Sequence, residues 1–510
     1  MTKRRSAEGF PPTGGPAVPA PQFRRREVVS VVNFGLIDEW EPAPGRLTTW
    51  VATPESLARA AQAPVHPAPP SHQQEQYLQL ADRHSEADFR FSGLCLVTAE
   101  IPLGDLDQEA MTRAINAFLM RHDTFRTWFS LASGGVVRRH LVDAGAVDFA
   151  PVDYGLIDDP EAIRQHVQKT TPGPLQWDCF TFGVIEHGES TTVYLAADHL
   201  HTDGLGQYLS CYDLAHLYAA EVGEEVDELP PAASYLDYCT MERGYTAQLT
   251  PASLGVRKWL ELIRGNDGRL PSFPLNLGRR SDVYNRSAHR SIELLSEEEA
   301  LRFEQHCRDN EAEFIGGVFA AAALAERELV GSDYYFGMTP ISTRTSAPER
   351  ASVGWYVTLV PVAFPVGPTT SFERAATIAQ RAYENGIRLG PTTFHRVLEL
   401  LPADSEIQAG PGHPNPMISY VDARDFIGSE FFGEVTGGIY ANRAASEEVL
   451  IWVNRFPSGT SLSVIYPDTP VAHESVERYV AAMSAVFERA LRQSAPPAPA
   501  APTAPARSES

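Results

Sequence analysis

Apolar residues along this chain recur with two different periods, and the switches between them outline its elements. In "AMTRAINAFLMRHD", Met111, Ile115, Phe118 and Leu119 fall at helical spacing and predict an amphipathic helix. "FTFGVIEHGESTTVYLAADH" predicts a β-hairpin, two runs rich in β-branched and aromatic residues joined by "HGES". Helical periodicity then resumes in "QYLSCYDLAHLYAAEV". Near residue 285 a second series opens. "SIELLSEEEALRFEQHCRDN" predicts a strand and then a helix starting at Ser296, with Glu299 at the capping-box position. "EFIGGVFAAAALAERELV" predicts a buried helix, "YYFGMTPISTR" and "YVTLVPVAFPV" strands, "VLIWVNRFPSGTSLSVIYP" a second hairpin, and "HESVERYVAAMSAVFERALRQ" a final amphipathic helix.

Both halves therefore mix strands, hairpins and helices, which predicts an α/β (α+β) fold in two similar lobes. A length of 510 residues agrees, being too long for one ordinary core. The expected division is 27–240 for the N-terminal lobe, 241–285 for a crossover linker and 286–492 for the C-terminal lobe. Residues 1–26 and 493–510 are Pro/Ala-rich and are expected to be disordered.

A formal charge of −23 argues against nonspecific nucleic-acid binding, which needs a positive surface. Hydrophobic content of 43% without an unbroken apolar run of spanning length predicts no membrane crossing. The basic N-terminus lacks the apolar core of a secretory leader, so a cytoplasmic location is expected. Five scattered cysteines with no C-x-x-C pair fit reduced, mostly buried thiols.

The chemistry concentrates in "VYLAADHLHTDGLGQYL", on the loop between the first hairpin and the following helix. Asp198, His199, His201 and Asp203 fall within six residues there, and two readings fit. As His-x-His-x-Asp, two imidazoles and a carboxylate could gather zinc and activate a water. The position after Asp203 is Gly204, where such metal motifs carry another His, and no supporting ligand motif follows. As His-x-x-x-Asp-Gly, one imidazole, His199, would position an acceptor and take its proton.

The second reading resembles the His-His-x-x-x-Asp-Gly motif of the condensation-domain superfamily, whose fold is that of chloramphenicol acetyltransferase. "RHDTFRTWF", "SYLDYCTMERGYT", "PISTR" and "SVGWYVTLVPV" resemble further segments of that superfamily in the same order. "EWEPAPGRLTTWVATPESLARAA", "SYVDARDFIGS" and "IWVNRFPSGTSLSVIYPDTPVAHESVERYVAAM" are similar to the polyketide-associated (Pap) acyltransferases. The resemblance implies two lobes in a V with a tunnel between them, and acyl transfer from a thioester to a hydroxyl or amine. It implies His199 as general base, Asp203 paired with Arg344 as a structural brace, and Gly204 giving close backbone approach. His201, Ser342, Trp355, Ser419, Tyr420 and Asn454 become tunnel-lining candidates; His122 and Arg126 become fold supports.

No metal or bound cofactor is implied. The donor is acyl-CoA or a phosphopantetheinyl carrier protein, the latter docking at Arg279, Arg280, Arg286 and Arg290. The product is expected to be an ester in lipid or polyketide metabolism. A free-standing peptide-forming condensation domain and a non-catalytic docking module are the alternatives, with the zinc hydrolase a remote one. Asp198 departs from the family pattern, standing where the first motif His is usual.

Overall fold

The computed structural model describes residues 32–86, 93–103, 106–132, 134–279, 285–401, 407, 416–426, 436–444 and 446–494. The expected disordered N-terminus and nearly all of the expected tail lie outside them, as does Arg280. In chain order the strands of the first half are β1 (Val32–Leu36), β2 (Gly45–Ala52), β3 (Leu94–Ile101), β4 (Thr127–Ala132), β5 (Val136–Leu141), β6 (Phe149–Ile157), β7 (Phe180–Glu186) and β8 (Thr191–Asp198). Those of the second half are β9 (Ser287–Ser296), β10 (Tyr334–Ser342), β11 (Val357–Pro365), β12 (Met417–Asp422), β13 (Thr436–Ala441), β14 (Leu450–Phe456) and β15 (Gly459–Pro467).

The predicted hairpins form as β7–β8 and β14–β15, both antiparallel. The amphipathic helix of the first half runs Gln108–Arg121 and buries Met111, Ile115, Phe118 and Leu119 against the sheet. Ser296 and Glu299 make the reciprocal capping box that starts helix Glu297–Asp309. Helix Phe314–Val330 is apolar almost all round because it is enclosed by its neighbours, with Val318 and Phe319 fully buried.

The sheets depart from a simple division into halves. The main sheet has seven strands in the order β1-β13-β3-β8-β7-β2-β6. β13, from the second half, thus lies inside the first-half sheet, parallel to β1 and antiparallel to β3. Its sequence "TGGIYA" has little of a strand's alternation, which is why the pattern does not announce it. Gly437 explains its fit, since a Cβ there would come within 2.7 Å of the Thr98 carbonyl oxygen on β3.

Two helices also occupy part of the expected linker. Helix Tyr235–Thr246 runs through the boundary at 240, and helix Leu254–Gly265 buries Trp259 against Phe394. A four-stranded sheet, β12-β14-β15-β9, completes the second half beside the β10–β11 pair. Helices Glu297–Asp309, Phe314–Val330 and Pro470–Ser494 pack on one face of that sheet.

Candidate active site

β8 is buried along nearly its whole length between β3 and β7, and the His/Asp cluster begins where it ends. Asp198 closes the strand and caps a short 3-10 turn, its Oδ1 accepting the Leu200 N–H at 3.0 Å. The His199 N–H donates to the Gly93 carbonyl at 2.8 Å, pinning the turn to the start of β3. A 3-10 turn holds three residues per revolution, so His199, Leu200 and His201 point in three directions. That geometry separates the two imidazoles.

His199 keeps part of its surface accessible, although its Nδ1 is buried and has no hydrogen-bond partner. Its ring lies 4.4 Å from that of Trp355, which meets Tyr77 edge-on at 5.4 Å. Burial lowers the His199 pKa below 6.5, opposed more weakly by backbone groups of the turn and by Asp203. The imidazole is therefore neutral at pH 7 and able to accept a proton.

His201 is fully buried in the first-half core, stacked on Phe125 at 5.6 Å with Nδ1 3.1 Å from Thr124 Oγ1. Burial drives its pKa down to about 3. Its candidacy as a lining residue is thus corrected: it is a core histidine.

Asp203 caps helix Gly204–Glu221 through Oδ1, which accepts the Gly206 N–H at 2.7 Å. Arg344 binds it in bidentate fashion, Nη1 to Oδ2 at 2.7 Å and Nη2 to Oδ1 at 3.0 Å. The Tyr356 N–H adds a bond to Oδ2 at 2.9 Å. The guanidinium is held in turn by the carbonyls of Glu349, Ser352 and Gly354 and lies over the Tyr356 ring. Every oxygen of the carboxylate is thus engaged, and the 344–356 segment of the second half clamps the motif loop of the first. His122 joins the same clamp, its Nε2 2.9 Å from Asp213 Oδ2 and its Nδ1 accepting the Val353 N–H.

Gly204 opens its helix with φ outside the left-handed region, and an added Cβ would meet nothing within 4 Å. The position that requires glycine is Gly206, where a Cβ would stand 2.8 Å from Thr202 Oγ1. Gly204 therefore marks open space, with no tight turn to serve.

Among the described residues no cation meets the buried carboxyl of Asp198. Its surroundings are the Leu200 and Gly93 backbone, the Tyr77 hydroxyl and the thiols of Cys95 and Cys179. Desolvation raises its pKa from 3.8 to about 6, against the lowering effect of its hydrogen bonds. Tyr77 is the partner that sequence reasoning misses. It comes from helix His72–Glu86, far away in the chain, and its hydroxyl fills the space beside Gly93 where a Cβ would stand. The single signal for it is that glycine immediately before β3.

The zinc reading does not fit these side chains. His201 is turned into the core, and both Asp203 oxygens are occupied by Arg344. Among the described residues, one group has ligand atoms close enough to share an ion: His72, Glu75 and Glu399, remote from the motif in sequence. Arg243 already bonds both His72 Nδ1 and Glu75 there, filling the place of a cation.

The remaining candidates separate by strand alternation. Ser419 and Asn454, on neighbouring strands, face away from the helices. Tyr420, one residue after Ser419, necessarily points the other way and stacks on Phe314 of the helix layer at 5.1 Å. It is a core residue, not a lining one. Ser342 ends β10 and accepts the Arg344 N–H, and Trp355 is a proposed lining residue whose ring meets that of His199. Of the arginines assigned to carrier docking, Arg279 bonds the Glu447 carbonyl and Arg290 pairs with Glu477 at 3.0 Å.

The condensation-domain family model matches residues 92–400, which contain this whole arrangement of motif, brace and clamp. The chain belongs to the condensation-domain family. Acyltransferase PapA3 of Mycobacterium tuberculosis is 35% identical over 467 residues, covering 90% of this chain and 97% of that protein. Trehalose-2-sulfate acyltransferase PapA2 of the same species is 37% identical over 455 residues, covering 88% of this chain and 96% of that one. The solved PapA2 acyl transferase superposes with a TM-score of 0.84 at 36% identity, over 90% of this chain and 99% of the other. SgcC5 of Streptomyces globisporus, at 18% identity and TM-score 0.64 over 83% of this chain and 99% of its own, shares the fold. The condensation-domain protein described here is an acyltransferase of the Pap group. No helix among its described residues is long and apolar enough to cross a membrane.

Proposed function

We propose that this acyltransferase moves an acyl group from a thioester to a hydroxyl of a sugar of the trehalose class, forming an ester in lipid biosynthesis. The observation that carries the reading is His199: a neutral, partly accessible imidazole held at a strand end by a braced loop. The choice of acceptor rests on relatives named for trehalose esters, PapA1 and PapA2. His199 takes the proton of the acceptor hydroxyl as its oxygen attacks the thioester carbonyl. The tetrahedral intermediate then expels the thiolate, which leaves with a proton as the free thiol. General-base help of this kind contributes about 10²–10⁴-fold, and alignment of the two substrates contributes further.

In this proposal two lobes flank a tunnel that donor and acceptor enter from opposite sides, in the cytoplasm where such thioesters are made. The open space over Gly204, at the N-terminus of its helix, gives the donor a close approach to the backbone. The donor is acyl-CoA or a carrier-bound acyl group. Carrier docking at Arg279, Arg280, Arg286 and Arg290 has to compete with the exposed Arg290–Glu477 pair, which costs little to break, and with the pair of Arg279 and the buried Glu448, which costs more. Mass spectrometry of products from palmitoyl-CoA with trehalose or trehalose-2-sulfate tests the reading. A sugar ester that forms with wild type and is lost in His199→Ala is expected. Equal activity in the two proteins, or none with any hydroxyl acceptor, overturns it.

A further inference from the structure

The face of the second-half sheet turned away from helices Glu297–Asp309, Phe314–Val330 and Pro470–Ser494 carries an unusual set of side chains. On β14, Ile451, Val453 and Arg455 turn toward the helices, Arg455 reaching Glu304 at 2.7 Å. Trp452 and Asn454 therefore turn the opposite way. Register places Ser419 of β12 and Ser463 of β15 on either side of Trp452, and Ser461 of β15 directly across from Asn454. An indole flanked by hydroxyls, next to an amide and another hydroxyl, occupies a position where most sheets bury aliphatic residues.

This face looks toward the first half of the molecule. Phe456, on the same side of β14, lies 5.5 Å from Phe34 of β1. His289, across from Ile465 on the same side of β15, bonds Glu39 at 2.8 Å. β1 ends at Leu36, which pairs with Ala441 of β13; Ala441 pairs with Cys95 of β3, one residue from the Leu94–Asp198 pair. The polar face and His199 thus lie toward the same end of the main sheet.

Two of its polar atoms are buried and unused. Asn454 is 2% exposed, yet its Nδ2 has no hydrogen-bond partner, and the Ser461 hydroxyl opposite is likewise without one. Buried amide N–H groups are nearly always paired in folded proteins, and unpaired ones collect where a ligand supplies the missing acceptor. An aromatic ring edged by donors and acceptors suits a polyhydroxylated ligand, which offers apolar C–H surface and several hydroxyls at once.

Resting on the acyl-transfer reading above, we infer that Trp452, Asn454, Ser461 and Ser463 form the acceptor platform, which selects a sugar over a simple alcohol. Asn454 is a specificity residue: its amide binds a hydroxyl remote from the one acylated. The indole supports the ring of the sugar.

The test compares trehalose with 1-octanol as acceptors for palmitoyl-CoA in wild type, Asn454→Ala and Ser463→Ala. Asn454→Ala is expected to raise KM for trehalose about tenfold or more, the equivalent of one lost hydrogen bond to a buried group. Turnover with 1-octanol stays at the wild-type level, and Tm is unchanged or higher because no native bond is lost. Ser463→Ala is expected to shift the same ratio by a smaller factor. An unchanged trehalose KM overturns the platform, as does a parallel loss with both acceptors together with a lower Tm. If neither acceptor is acylated, the acyl-transfer reading fails by itself. Calorimetric titration of the same proteins with trehalose alone then decides the platform: binding weakened by Asn454→Ala supports it, and no binding by wild type overturns it.

Discussion

The motif loop has a carboxylate at each end, and the two are treated in opposite ways. At its exit, Asp203 is buried and meets a bidentate guanidinium, two backbone N–H groups and a helix N-terminus. At its entrance, Asp198 is equally buried but meets a phenol, thiols and backbone, and no cation among the described residues. Burial alone thus does not decide what an acid does. The first acid is a brace joining the two halves of the chain, while the second is a group whose charge is costly and whose proton is retained to about pH 6. His199 stands between them and takes its orientation from both ends.

The sharpest way to break the comparison is to remove what both ends serve. His199→Ala is expected to lower kcat by about 10²–10⁴-fold with the fold intact, measured by product formation beside circular dichroism. In the wild type, kcat/KM should hold from neutral pH down to about 6.5 and decline only below, since the His199 pKa is lowered from that value. A decline that begins above pH 7 would remove the neutral-base assignment.

The exit comes next. Arg344→Ala leaves the Asp203 carboxylate buried beside neutral groups and is expected to cost about 3–5 kcal/mol in urea unfolding. Arg344→Lys should recover only part of this, because an ammonium cannot reproduce the paired bonds.

The entrance should respond with the opposite sign. The folded-state pKa of Asp198 is raised, so the unfolded chain ionises first as pH increases from about 4 to 6 and stability falls across that window. Asp198→Asn can keep the bond to Leu200 N–H without the charge. It is expected to stabilise the protein at pH 7 by up to about 3 kcal/mol and by almost nothing below pH 4, followed as Tm against pH. A loss of stability at pH 7 would mean that the ionised form is the one the fold holds.

The smallest contrast is between the two glycines of the loop. Gly204→Ala should change Tm little and slow turnover only if substrate uses the space above it, whereas Gly206→Ala, facing Thr202 Oγ1, should lower Tm by several degrees.

Much of the site is legible in the sequence. The strand-end place of His199 and the Asp203–Arg344 pair follow from residue order within matching segments, and Arg344 does find Asp203 although 141 positions separate them. What is not legible shares a common cause. Tyr77 reaches Asp198 only because helix His72–Glu86 packs beneath the start of β3, and no local spacing encodes that contact. His201 resembles a reactive group because two histidines two positions apart look close along a chain; the 3-10 turn sends one to Trp355 and the other to Phe125. Tyr420 falls beside Ser419 in the same way, although a strand alternates faces at every residue.

The sequence by itself determined the type of most elements, the capping box at Ser296, the hairpins and the strand-to-helix loop that carries the motif. These are local properties, set by period, turn chemistry and the order of a motif. Only the tertiary structure decided that β13 crosses into the first-half sheet, that helix Leu254–Gly265 packs within the expected linker, and that Asp198 keeps company with Tyr77. Those outcomes depend on which surfaces meet across hundreds of residues, where burial, and not spacing, sets the free energy of each group.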